Sequence, residues 1–450
     1  MSSNVATFQL PETVAVLGLG ASGLAAAALA CAMGASVVAC DEGDPARLGS
    51  ALARLEEIGA ELCVGDDAGA RCPAERCGLL VLSPGVPPES SLLAAFKTAG
   101  VPVMGEIEFG FRFCTVPLIG ITGTNGKTTT TELTAEILQG AGLRAMAAGN
   151  IGLPFSQVVL ERGDDLDVIV LELSSFQLEC IESFCPQVTA WLNFAPDHLD
   201  RYTDLEEYRA AKLRIFEFQG PEHGAVVRAG ENLGGVLPDR VVTFDATPGA
   251  VADFTLVGRS ILFEGREVAS LADTRLRGRH NAENAMAAMG MARLFGLEFP
   301  EMAAGLQSYS PPPHRAEPIR TIGGVEWVND SKATNLHALE TALRAWDLPI
   351  ILIAGGKQKG LDYAPLTELI GEKVHALFTI GEIGPALVDL FADRVPSARF
   401  CASLGEAVQA SASAACPGDL VLFSPGTSSF DMFSGYVERG EAFRQLVNKL

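Results

Sequence analysis

Aromatic residues are scarce in this chain, and positive charge is outweighed by negative. Aromatics make up 7% of the 450 residues while hydrophobic residues reach 48%, a composition that marks an aliphatic globular chain and excludes a disordered one. The length allows two or three domains with sizeable cores. Lys and Arg total 33 against 55 Asp and Glu, giving a net charge of −22 and a pI of about 4.7. That balance argues against nucleic acid or an anionic membrane as the partner. Small anionic substrates remain compatible, because backbone amides, lysines and Mg²⁺ can override the global field locally. The ten cysteines include no CxxC pair, and no histidine stands near Cys72 and Cys77 to complete a zinc set. They read as scattered reduced thiols of a cytoplasmic protein. The uncharged stretch from Thr13 to Cys40 lacks the preceding Lys or Arg of a signal segment, and three early glycines break it as a membrane span. No internal repeat or low-complexity segment stands out.

What is present begins with TVAVLGLGASGLAAAALACAMGASVVACDE, from Thr13 to Glu42. Gly18, Gly20 and Gly23 stand as GxGxxG between an apolar strand and an Ala-rich helix, and Asp41 follows at the distance of a ribose-binding carboxylate. Read alone, this is the opening of an NAD-binding domain. Strands are expected at Thr13–Gly18, Ser36–Cys40 and Leu79–Leu82, the last ahead of a Ser83-Pro84-Gly85 turn. A second unit opens near Val116 with VPLIGIT and continues through DVIVLELSS and VTAWLNFAPDH. SYSPPPHRAEPIR reads as a linker, since three consecutive prolines forbid a helix. Beyond it GVEWVNDS, PIILIAGGK, HALFTIGE and GDLVLFSPG supply four further strand candidates separated by helix-length segments. The expected class is α/β with three domains, a Rossmann-like 1–115, a central phosphate-loop domain 116–313 and a Rossmann-like 314–450.

The second unit carries GITGTNGKTTTTE. Gly123, Thr124, Asn125, Gly126, Lys127, Thr128 and Thr129 form a loop whose amides approach phosphates, with Lys127 as a point charge and the Thr128 hydroxyl as an Mg²⁺ ligand. The match to GxxxxGK[ST] is imperfect, since Ile121 occupies the first glycine position. Glu172 ends the strand DVIVLE, where a carboxylate can complete a metal shell. His198, in APDHLDRY, follows another strand and suits a second cation as a neutral imidazole. Lys212, in YRAAKLRIFE, reads locally as a surface lysine on an amphipathic helix.

Taken together, GITGTNGKTTT, ELSSFQLE, DHLDRY, YRAAKLRIF, GRHNAENAMAA, PHRAE, NDSKATN and SPGTSSFDMF resemble the Mur ligases, ATP-dependent amide-forming enzymes of peptidoglycan precursor synthesis, in that family's order and over nearly the whole chain. The resemblance implies that Lys127 and Thr128 hold the β/γ phosphates and Mg²⁺, with Glu172 and His198 as further metal ligands and Lys212 as a carbamylated lysine; two Mg²⁺ ions are expected. Asn281 and Asn284 would contact the nucleotide, and Arg315 and Asp330 would complete the ATP site from the last domain. The first glycine loop would hold the diphosphate of a UDP-sugar rather than NAD, through Gly20, Ala21, Ser22, Asp41, Ser83 and Gly85, with Asn150 and His198 further along the substrate. Lys332, Thr334, Lys359 and Ser429 would bind an incoming amino acid, with Tyr436 where an apolar aromatic is usual. Glu42-Gly43 departs from relatives that place a hydroxyl and a base after Asp41. The implied substrates are UDP-N-acetylmuramoyl-L-alanine, D-glutamate and ATP, handled by a cytoplasmic monomer with no nucleic-acid or membrane partner.

The chemistry fits a ligase in which a carboxylate is phosphorylated by ATP and an amine then displaces phosphate. A folylpolyglutamate synthetase-like ligase shares the later domains but not an N-terminal nucleotide domain. An oxidoreductase leaves the Lys127 loop unexplained, and a nucleotide-gated binding protein has no need of Glu172, Lys212 and Lys332 together.

Overall fold

The computed structural model describes residues 8–197, 201–235, 237–346 and 348–450, and its chain divides into two compact units. The first unit comprises residues 1–270 and 284–308 and contains two sheets. In the five-stranded sheet the order runs Glu61–Val64, Ser36–Asp41, Thr13–Leu17, Leu79–Leu82, Val103–Gly105, all parallel. Strand order reverses at Thr13–Leu17, so the glycine loop that follows it lies at the topological switch point, where open α/β sheets bind ligands. Val14, Ala15, Val16 and Leu17 are all buried, as the two covered faces of a parallel sheet require.

The nine-stranded sheet of the same unit is built the same way around Leu118–Thr122, which pairs in parallel with Val168–Glu172 on one side and Val188–Trp191 on the other. The phosphate loop is therefore also at a switch point. The far edge of this sheet turns antiparallel through Phe254–Val257, Ser260–Phe263 and Arg266–Ser270, strands too short and too mixed in polarity to stand out in the sequence. Helix Glu106–Phe113 ties the two sheets together: the Glu108 carboxylate accepts the backbone N–H groups of Glu182, Ser183 and Phe184 at 2.9, 3.0 and 2.9 Å.

The second unit comprises residues 271–283 and 309–450 and holds a six-stranded sheet. Its edge strand is Glu317–Ile322, paired antiparallel to Val325–Asn329. The linker reading of SYSPPPHRAEPIR therefore ends too late: EPIR belongs to the sheet. Pro318 is tolerated because it sits on the edge next to a register shift, where a missing N–H costs no ladder bond. Among the described residues no helix is long and apolar enough to cross a membrane.

Candidate functional site

The phosphate loop spans from the buried strand Leu118–Thr122 to helix Lys127–Gly140. Gly126 caps that helix at φ 82°, and a Cβ there would lie 2.4 Å from Asn284 Oδ1, so only glycine fits. Thr124, Asn125 and the segment after Val188–Trp191 are stitched together: Asn193 O accepts from Thr124 N at 3.0 Å, Asn193 Oδ1 accepts from Asn125 N at 2.9 Å, and Asn193 Nδ2 donates to Asn125 O at 3.1 Å. Asn193 is a loop-holding residue that no motif singles out. Thr128 is half-buried beside Thr129, whose hydroxyl is buried without a hydrogen-bond partner among the described residues.

Two lysines converge on one carbonyl. Lys127 Nζ donates to Gly123 O at 3.1 Å and to Thr124 O at 3.0 Å, and Lys212 Nζ donates to Gly123 O at 2.9 Å. The local reading of Lys212 as a surface lysine is overturned. It is 2% exposed, with its Nζ 4.8 Å from the centroid of the Tyr208 ring. Burial first, and then the Lys127 charge, hold its amine well below the ordinary lysine range, against the pull of Asp197 and Glu172. A neutral amine is the form that reacts with CO₂.

Glu172 lies on the adjacent strand, in register with Ile121, and is 3% exposed. Its Oε1 accepts from Asn150 Nδ2 at 2.8 Å, and its Oε2 is buried with no hydrogen-bond partner among the described residues. A buried carboxylate oxygen left unpaired is costly, and a hard cation is a fitting partner for it. The Thr128 hydroxyl and the unpaired Glu172 oxygen are thus donors of the kind Mg²⁺ takes, and Lys212 would add oxygen ligands only as its carbamate. His198 lies outside the described residues.

At the first glycine loop, part of the expected contact set holds the loop itself. Asp41 Oδ2 accepts from Leu19 N at 2.7 Å and its Oδ1 from Gly43 N at 2.7 Å, while Ser83 Oγ donates to Gly18 O at 2.6 Å. Gly20 and Ala21 are exposed at the start of helix Ala21–Ala32, Ser22 is half-buried one residue on, and Gly85 is exposed across from them in sequence. A shallow cleft is lined by Ser83 and Glu106, at the carboxyl edge of the first sheet, and by Gln177, Glu179 and Arg201. Arg201 donates to Glu179 at 3.1 and 2.6 Å and lies over the Phe176 ring.

Asn281 and Asn284 share helix Arg279–Phe295. Asn281 Nδ2 donates to Arg277 O at 2.9 Å, and Asn284 Oδ1 accepts from Thr130 Oγ1 at 3.2 Å. In the second unit Arg315 lies beside His280, whose imidazole is held down to about 4 by burial and then by the Arg315 charge. Asp330 accepts from Ala316 N at 3.1 Å and Ser424 Oγ at 2.9 Å, and burial pushes its carboxyl up to about 6.

Of the expected amino-acid contacts, Lys332 and Lys359 are exposed, Thr334 is half-buried and Ser429 is buried. Lys332 Nζ sits 4.1 Å from the centroid of the Tyr436 ring, a cation–π contact. Their segments are joined by Arg439, 1% exposed, which donates to Ser331 Oγ at 3.0 Å, Ser331 O at 2.8 Å and Thr427 O at 3.1 Å. Thr427 Oγ1 in turn donates to Lys357 O at 2.7 Å. Nothing in the local sequence around Arg439 distinguishes it from an ordinary helix arginine.

Two regions match family models, the Mur ligase middle domain over residues 121–292 and the Mur ligase glutamate ligase domain over residues 314–426. The chain is 42% identical to UDP-N-acetylmuramoylalanine--D-glutamate ligase of Anaeromyxobacter dehalogenans (strain 2CP-C), over 97% of each chain, and 40% identical to the enzyme of that name from Myxococcus xanthus (strain DK1622), over 98% of each. Among solved structures it resembles UDP-N-acetylmuramate-alanine ligase from Thermotoga maritima, with a TM-score of 0.61 at 18% identity over 97% of this chain and 99% of that one. That last likeness concerns the fold. With both later domains matched and relatives aligned end to end, the chain belongs to the Mur ligase family.

Proposed function

We propose that the chain joins D-glutamate to UDP-N-acetylmuramoyl-L-alanine with cleavage of ATP to ADP and phosphate. The near-full-length relatives bearing that ligase name support the substrate pair, and the observation that carries the chemistry is the shared Gly123 carbonyl, which sets Lys127 and buried Lys212 together beside Glu172. The domains are taken to be 1–115 for the UDP-sugar, 116–313 for ATP and 314–450 for the amino acid. The chain is taken to act as a monomer. The acidic balance and the absence of a membrane-spanning helix among the described residues are in keeping with a cytoplasmic site of action.

In this reading the glycine-loop amides around Gly20, Ala21 and Ser22 bind the diphosphate at a helix N-terminus, while Asp41 and Ser83 hold the loop in shape and Gly85 borders it. Asn150 orients Glu172 and faces the substrate. Gly123 through Thr129 cradle the triphosphate, assisted by Asn281, Asn284, Arg315 and Asp330. The substrate carboxylate attacks the γ-phosphorus, the bond to the β-γ bridging oxygen breaks, and ADP leaves with those electrons; Lys127 offsets the charge gathering on the transferred group. The amine of D-glutamate, placed by its two carboxylates on Lys332, Thr334, Lys359 and Ser429 beside Tyr436, attacks the activated carbonyl and loses a proton as phosphate departs. Thr128, Glu172, His198 and carbamylated Lys212 are the residues to hold Mg²⁺, two ions in all, which when bound supplies charge neutralisation to the phosphoryl oxygens. A phosphate-release assay crossing UDP-sugar acceptors with D-glutamate, L-alanine, meso-diaminopimelate and L-lysine tests the assignment. Turnover restricted to D-glutamate is expected; equal turnover with the others overturns it.

A further inference from the structure

The ten cysteines look scattered in the sequence, but the fold gathers three of them. Strands Ser36–Asp41 and Glu61–Val64 run in parallel with Cys40 and Cys63 as register partners, so their side chains leave the sheet on one face about 4.8 Å apart. Helix Ala68–Arg71 then ends at Cys72, which caps it and returns over the same pair. The three sulfur atoms lie within 4.8 Å of one another, and no His, Asp or Glu belongs to the group. Cys40 and Cys63 are buried among Leu17, Val38, Ala68 and Leu80, whereas Cys72 is half-buried and gives access from solvent.

From this placement we infer that Cys40, Cys63 and Cys72 form a three-sulfur site for a soft d¹⁰ metal ion of the zinc class. The spacing suits it. Thiolates bind such ions at about 2.3 Å in a tetrahedral shell, which sets the sulfurs about 3.8 Å apart, so a closure of about 1 Å from the observed limit supplies three of the four positions and leaves the fourth to water. The donor chemistry selects as well, since an all-sulfur set without oxygen ligands favours Zn²⁺, Cu⁺ or Cd²⁺ and disfavours Mg²⁺. The site is therefore independent of the one beside the phosphate loop. The ligands bind as thiolates, so the thiol protons leave as the ion enters. An ion there ties the edge strand Glu61–Val64 to Ser36–Asp41, which borders the first glycine loop: Cys40 O accepts from Gly18 N at 2.9 Å, and Asp41 follows directly.

The test uses the full chain, reduced and freed of metal, titrated with Zn²⁺ alone against a chromogenic chelator and with Cd²⁺ alone while following sulfur-to-metal charge-transfer absorption. The absorption reports sulfur ligation and ignores carboxylate sites. One ion per chain, with proton release and a higher melting temperature, is expected. Losing even an outer partner of a metal ligand costs about 10–100-fold in affinity, so Cys72→Ser and Cys63→Ala should each weaken binding by about 100-fold or more. Cys416→Ser, at an exposed position outside the cluster, should change nothing. Circular dichroism of Cys72→Ser, whose side chain is half-buried, separates lost binding from lost fold. Undiminished Cd²⁺ absorption in both cluster variants overturns the inference. So does a disulfide between two of the three thiols in place of metal uptake.

Discussion

Two glycines of one motif should respond in opposite ways to the same substitution. A Cβ at Gly20 meets nothing within 4 Å, and its φ of −73° is open to any residue. At Gly23 a Cβ would sit 1.9 Å from Gly18 O and 2.9 Å from Ser83 Oγ, inside the bond that pins the loop. For Gly20→Ala the folding terms nearly cancel: alanine is a poorer helix cap by some tenths of a kcal/mol, and it lowers the entropy of the unfolded chain by about 0.4–1 kcal/mol. The methyl group instead occupies the space through which backbone amides reach the diphosphate. Losing one or two charge-assisted hydrogen bonds at about 1.5–3 kcal/mol each raises the KM for the UDP-sugar at least about 10-fold, with the KM for ATP unchanged. Gly23→Ala should destabilise the first sheet by about 1–3 kcal/mol through overpacking against backbone. Steady-state kinetics with each substrate varied, alongside urea unfolding, measures both. Unchanged UDP-sugar KM in Gly20→Ala, or full stability in Gly23→Ala, refutes the reasoning; tight NAD(H) binding by calorimetry would refute the diphosphate assignment itself.

Lys212→Ala should remain folded and lose about 10²–10³-fold in kcat, the scale for removing a group that stabilises transition-state charge, and acetate or propionate should restore part of the rate; a variant at wild-type rate under saturating Mg²⁺ removes the carbamate from the mechanism. Asp330 has its folded pKa raised to about 6 from an unfolded value near 3.9. Its neutral form is therefore favoured by folding, so the stability it contributes is complete below about pH 4 and is lost, on the order of 3 kcal/mol, as pH rises through 6. Asp330→Asn should flatten that slope in denaturant midpoints taken from pH 4 to 7, and parallel curves for the two proteins would count against it. Glu108, fully buried, accepts three backbone N–H groups and the Ser183 hydroxyl at 2.6 Å and pairs with Arg112 at 2.7 Å. Glu108→Ala leaves those buried donors unpaired and Arg112 with only Glu182 at 3.4 Å, and should cost about 3–5 kcal/mol in urea unfolding; a loss under 1 kcal/mol would show the contact to be dispensable.

The class of fold and the two nucleotide loops were legible in the chain alone. Buried parallel strands announce themselves as unbroken apolar runs, and glycine-rich turns are local signals, since a strand, a turn and a helix N-terminus are contiguous in the chain. Glu172 was legible for the same reason, standing at the end of a strand, whereas Asn150 came only through the family resemblance. What only the tertiary structure decided depends on residues distant in sequence. Lys212 is 89 residues from the Gly123 carbonyl it meets, and on its own helix it has the spacing of a solvated lysine. Arg439 joins loops 108 residues away, and Asn193 reaches the phosphate loop across 68. Asp41 and Ser83 stand where ligand contacts were expected, but their oxygens are engaged with the glycine loop's own backbone. The three cysteines converge because parallel pairing fixes Cys40 opposite Cys63, a register that no spacing between them encodes. Local propensity writes strands and turns into short segments; burial, and the shifted charge states that follow from it, exist only once separate segments pack against each other.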